Sequence, residues 1–168
     1  MSEDEVRPDP EEIFATCLRI KGEGNAFFEA NKLPEASARY TEGVRLCTPG
    51  ALKAHPPLAA LAAVLLTNRA AVMLQLRQFV AAAGSAQQAE TLDATNWKAA
   101  WRQGLALMAQ KPRIERSEMA VEAFKRALAN PNMPEEQKDD AREALYRAQA
   151  RLRDGRDAVP LPESCVIC

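Results

Sequence analysis

Apolar residues return every three or four positions through most of this chain, the spacing that gathers them on one side of an α-helix. Ile13, Cys17, Ile20 and Phe27 form the stripe of a first helix over residues 11–30. Asn31 and Lys32 break it, and Pro34 sits in the first turn of a second helix that ends near Cys47. The Gly and Pro content of residues 48–57, TPGALKAHPP, predicts a loop. Further helices are expected over 58–76, 79–92, 95–109 and 114–128. Asn130 to Pro134 reads as a stop and restart. The last helix, 135–153, carries a stripe at Ala141, Leu145, Ala148 and Leu152, with charge on its other faces. Before and after this helical body lie an acidic tail over residues 1–10, read as disordered, and a flexible tail over 155–168.

The helices repeat one another. Ala36 and Tyr40 align with Ala82 and Ala86, and then with Ala120 and Phe124. Gly24, Ala70 and Gly104 align in the same way, and so do Gly43, Ala89 and Ala127. The offsets describe a unit of about 34 residues repeated three times, with about 12 extra residues in the first connection and about 4 inside the third unit. Small residues in register let successive helix pairs pack closely. The expected fold is therefore all-α, with residues 11–154 forming one domain of three helical repeats closed by a capping helix.

Composition supports that picture. Hydrophobic residues make up 47% of the 168 and aromatic residues only 5%, a balance suited to close helix packing and not to a sheet. A formal net charge of −1 argues against a nucleic-acid binder that works through bulk positive charge. No basic start leads into an apolar run at the N-terminus, and the longest apolar run, residues 58–66, is too short for a membrane span. The expectation is a soluble, intracellular chain in which the four cysteines form no disulfide framework.

The stretch NWKAAWRQGLAL, residues 96–107, carries the candidate chemistry. Lys98 and Arg102 stand four apart and share one helix face with no acid between them, a seat for a carboxylate. Trp97 and Trp101 repeat that spacing on a neighbouring face and read as core, while Gly104 leaves room for another helix. Lys32, Arg39 and Lys125 read as solvated faces, and His55, the sole histidine, as a solvated loop residue. One histidine with no nucleophile, phosphate-loop or metal-ligand constellation speaks against an enzyme, and no cofactor or metal is expected.

On the pieces KGEGNAFFEANKLPEASARYTEGVRL, LLTNRAAVMLQLRQFVAAAGSAQQAETLD and NWKAAWRQGLALMAQ with SEMAVEAFKRALAN, the sequence resembles the tetratricopeptide repeat family. The resemblance implies a right-handed α-solenoid of three tandem helix-turn-helix repeats. Ala86 in place of the usual aromatic, and Ala94 in place of the usual closing proline, depart from the pattern and are expected to weaken the second repeat's packing. A narrower resemblance is to three-repeat co-chaperone domains, whose first helices form a dicarboxylate clamp. Lys21, Asn25, Asn68, Lys98 and Arg102 match its five positions. It implies a partner, the free C-terminal Glu-Glu-Val-Asp tail of the seventy- and ninety-kilodalton heat-shock chaperones. Phe27 and Phe28, beside Asn25, are candidates for an apolar pocket, although Phe27 equally fits the core. A scaffold that binds a different protein is the alternative.

Cys165-Val166-Ile167-Cys168 has the shape of a C-a-a-X prenylation signal, with Cys165 as the acceptor. A terminal Cys lies outside the commonest choices at the last position, and the alternative is an ordinary tail with two thiols. No polybasic second signal accompanies it, so one lipid would give reversible, peripheral membrane association of an otherwise cytoplasmic protein.

Overall fold

In a computed structural model the described residues are 9–154, and they form eight α-helices. The helix α1 spans Pro10–Glu29, α2 Leu33–Leu46, α3 Pro49–Ala54, α4 Pro57–Gln75, α5 Phe79–Leu92, α6 Trp97–Ala109, α7 Ile114–Ala129 and α8 Glu135–Asp154. The pairs α1/α2, α4/α5 and α6/α7 are helical hairpins; each packs on the next, and α8 closes the stack against α7. The expected acidic tail lies almost wholly outside the described residues, as does the C-terminal segment with Cys165.

Local chemistry explains the boundaries. Asp9 caps α1 by accepting from the Glu11 amide at 3.1 Å, and Pro10 occupies the first turn, where a missing N–H costs nothing. Two hairpin turns are built alike. Asn31 (φ 55°) and Arg77 (φ 59°) occupy equivalent positions in the left-handed region. In each, the following amide reaches back over the helix end, Lys32 to the Phe27 carbonyl and Gln78 to that of Met73, both at 2.8 Å.

The structure corrects the expected loop over 48–57. Thr48 caps a short helix, α3, by accepting from the Ala51 amide at 3.3 Å, and Ala51 is buried in the core of the first unit. Proline at the first turn starts this helix as readily as it breaks others. His55, expected to be solvated, is half-buried at the end of α3, its ring 5.1 Å from that of Phe14 and edge-on to it.

Helix α4 runs through the centre. By length and composition it could cross a membrane, with a mean hydropathy of 1.7, yet 61% of that stretch is buried inside the fold. It is rich in apolar residues because α1, α2, α5 and α6 all pack against it.

Two glycines fit the packing predicted for them. A Cβ on Gly24 would lie 2.5 Å from the Tyr40 ring, and one on Gly104 would overlap the Phe124 ring. At the capping helix the stripe differs from expectation. Ala141, Ala144, Ala148 and Arg151 are buried, whereas Leu145 and Leu152 are only half-buried. Arg151 turns inward to donate to the carbonyls of Met108 (2.7 Å) and Gln110 (2.9 Å), satisfying the C-terminal end of α6.

Candidate functional site

The first helices of the three units, α1, α4 and α6, lie side by side, with α4 between the other two. Each carries residues of the candidate clamp. Asn25 on α1 and Asn68 on α4 meet directly: the Asn68 amide nitrogen donates to Asn25 Oδ1 at 3.2 Å. The same oxygen accepts from the Tyr40 hydroxyl at 2.7 Å. With both bonds on its oxygen, the Asn25 amide is held in one orientation.

Arg102 joins this group from α6. It is 8% exposed, and its Nη1 donates to the carbonyl of Thr67, the residue before Asn68, at 2.7 Å. Thr67 is itself held by two hydrogen bonds. Its hydroxyl donates to the Ala63 carbonyl at 2.6 Å and accepts from the Asn96 amide at 2.8 Å. The guanidinium is therefore anchored on a backbone carbonyl before any ligand arrives. Burial pushes the Tyr40 hydroxyl above its ordinary pKa, opposed by hydrogen bonding with Asn68 and by the Arg102 charge, with Glu29 adding a smaller upward push.

The two lysines stand one turn before these groups, Lys21 before Asn25 on α1 and Lys98 before Arg102 on α6. Lys21 is half-buried. Lys98 is exposed, with its ammonium 5.7 Å from the centroid of the Trp97 ring. Neither lysine forms an ion pair among the described residues. The structure thus joins Asn25, Asn68 and Arg102 through Tyr40 and Thr67, and sets each lysine one turn away. It does not make Lys98 and Arg102 an evenly exposed pair, as equal spacing on one face suggests: the face dips, so that Arg102 is buried and Lys98 is not.

Sequence reasoning passed over Tyr40, Thr67 and Asn96 as site residues. Tyr40 was visible as a core aromatic, but its hydroxyl gave no separate signal. Phe27 and Phe28 are half-buried and pack on the core of the first unit, as a core role requires. Trp97 and Trp101 are core, the latter with its ring 5.3 Å from that of Phe124. The reading of Arg39 and Lys125 as surface residues fits their ion pairs with Glu23 and Glu42, and with Glu122. Among the described residues, no group of three or more His, Cys, Asp or Glu side chains gathers to hold a metal.

Comparison with known structures settles the architecture. The chain superposes on the TPR domain of Arabidopsis OM64 with a TM-score of 0.61 at 26% identity, covering 86% of this chain and 99% of that one. The fold is that of a tetratricopeptide repeat domain. It is similarly matched by the first TPR of Spaghetti (RPAP3), whose structure holds the HSP90 peptide SRMEEVD, at 28% identity and a TM-score of 0.61, covering 81% of this chain and 97% of that one. In sequence, the TPR chain is 32% identical over 90 residues to protein unc-45 homolog B of Xenopus laevis; the match covers 54% of this chain and 9% of that protein. No family model matches the sequence.

Proposed function

We propose that this TPR domain is a non-enzymatic chaperone adaptor whose groove along α1, α4 and α6 binds an acidic C-terminal peptide of the Glu-Glu-Val-Asp type. The observation that carries the reading is the joined set Asn25, Asn68, Tyr40 and Arg102, assembled from all three units and flanked by Lys21 and Lys98. Three cations supply charge-assisted donors for a terminal carboxylate and a side-chain carboxylate, each bond contributing about 1.5–3 kcal/mol. Two neutral asparagines add donors without adding repulsion among the cations. The peptide SRMEEVD bound to the RPAP3 domain ends in Glu-Glu-Val-Asp, which supports the choice of ligand class. Ordering an extended peptide offsets part of the gain, so the expected affinity is modest and falls with salt, chiefly through exposed Lys98.

The deciding experiment is a calorimetric titration with a free-acid Glu-Glu-Val-Asp peptide and with its C-terminal amide. The amide is expected to bind about 10-fold or more weakly, because it removes the charge read by the donors. Equal affinity for both would leave the alternative, a TPR scaffold for a partner that is not a chaperone.

The tail carries a second, separate proposal. Cys165 lies outside the described residues, and its C-a-a-X spacing supports prenylation there, giving a cytoplasmic protein that associates reversibly with membrane surfaces. The mass of the protein isolated from a eukaryotic host tests it: an unmodified Cys165 with Cys168 still in place ends the idea.

A further inference from the structure

Cys17 and Cys47 lie 30 residues apart in sequence, one midway along α1 and the other at the C-terminal end of α2, yet their sulfurs are 3.8 Å apart. Both point at one acceptor, the carbonyl of Gly43, which Cys17 Sγ approaches at 3.5 Å and Cys47 Sγ at 3.3 Å. That contact distance is van der Waals, and a disulfide requires the sulfurs to close to a bond length of about 2.0 Å. The two thiols differ in access. Cys17 is fully buried, whereas Cys47 is half-buried and borders a recess of about 280 Å³ together with Val44, Ala62, Leu66 and Leu92.

We propose that Cys17 and Cys47 form a reversible thiol–disulfide pair, oxidised by a peroxide that enters through the recess beside Cys47. The outer sulfur reacts first. The Cys47 thiolate attacks one peroxide oxygen; an S–O bond forms, the O–O bond breaks, and the departing hydroxide takes up a proton as water. The Cys17 thiolate then attacks Cys47 Sγ, forming the S–S bond and breaking the S–O bond, and a second water leaves. The two thiols together lose two electrons and two protons, and the peroxide is reduced to two waters. A dithiol reductant reverses the change.

The pairing suits the second step. Hydrogen bonding with Cys47 holds the Cys17 thiol below its ordinary value, against the opposing effect of burial, so the inner sulfur is the better nucleophile. The contact with Cys17, and then burial, hold the Cys47 thiol high, so the first step is slow at neutral pH and quickens as pH rises. The bond would staple α1 to α2 one turn before Lys21. The proposal stands independently of the peptide reading.

The test uses the full chain with Cys165→Ser and Cys168→Ser, which leaves two thiols. It is treated with hydrogen peroxide, denatured and titrated for thiols, and mapped by trypsin without reductant. The expected result is loss of both thiols, a mass lower by two hydrogens, and a link between peptides 1–19 and 46–53. Closing this loop should also raise Tm by about 5–10 °C, reversibly with dithiothreitol. Two surviving thiols, oxygen added to Cys47 with no link, or a link between separate chains would each overturn the proposal.

Discussion

The first and third units place an aromatic ring on a glycine at the same point in the hairpin, Tyr40 on Gly24 and Phe124 on Gly104, and bury both rings almost completely. The second unit has alanine at both corresponding positions, Ala70 and Ala86, each fully buried. Two glycine–aromatic pairs and one alanine–alanine pair thus serve one crossing, because volume removed from one helix is returned by the other. Tyr40 and Phe124 differ only by a hydroxyl. In the first unit that hydroxyl reaches Asn25, a candidate clamp residue, whereas the third unit's ring has no hydroxyl to offer. A repeat position can keep its packing role while one copy adds a hydrogen bond to a neighbouring helix.

The largest way to break the comparison is Phe124→Ala, expected to cost about 3–5 kcal/mol in urea unfolding because it empties a fully buried site. Gly24→Ala and Gly104→Ala should each cost about 1–3 kcal/mol, since the added carbon meets a ring with little freedom to move. If either were neutral, the close crossing would not be what the glycine serves. Next come the groove cations. Lys98→Ala, at an exposed position, should weaken the free-acid peptide about 10-fold and leave unfolding unchanged. Arg102→Ala should weaken it at least as much and also lower stability, because Arg102 is buried on the Thr67 carbonyl. The smallest effect is expected from Tyr40→Phe, which keeps the ring and removes the bond to Asn25. Unfolding should move by no more than about 1.5 kcal/mol, while peptide affinity falls by up to about 10-fold.

Tyr40→Phe also has a pH signature. The folded state holds the Tyr40 pKa above its ordinary value of 10.0. Below that value the phenol is neutral in both states and its contribution to stability is full. Above it the unfolded chain ionises first, so stability declines as pH rises through the folded value. The decline between the parent and Tyr40→Phe should differ in that alkaline range and nowhere lower. Parallel curves throughout would mean the hydroxyl is more solvated than its hydrogen bond implies.

Much of this was legible before any coordinates. The helices over 79–92 and 114–128 and the equivalence of Gly24, Ala70 and Gly104 follow from local spacing, since a helix face is dictated by residues three and four apart. Less legible were features that depend on a neighbour far along the chain. The stripe of α8 was read through Leu145 and Leu152 because leucine is the more apolar. The closer-packed face is instead the one with Ala144 and Arg151, whose guanidinium finds open carbonyls at the end of α6. Ala86, which stands where the repeat usually has an aromatic, is fully buried.

The sequence by itself determined the helices and the three-fold repetition, because periodicity is a local property of the chain. Only the tertiary structure decided that Arg102 sinks onto Thr67, that the Tyr40 hydroxyl orients Asn25, and that Cys17 meets Cys47. Each of these joins groups at least 15 residues apart. Where a side chain ends is settled by the donors, acceptors and free volume that other helices bring to it.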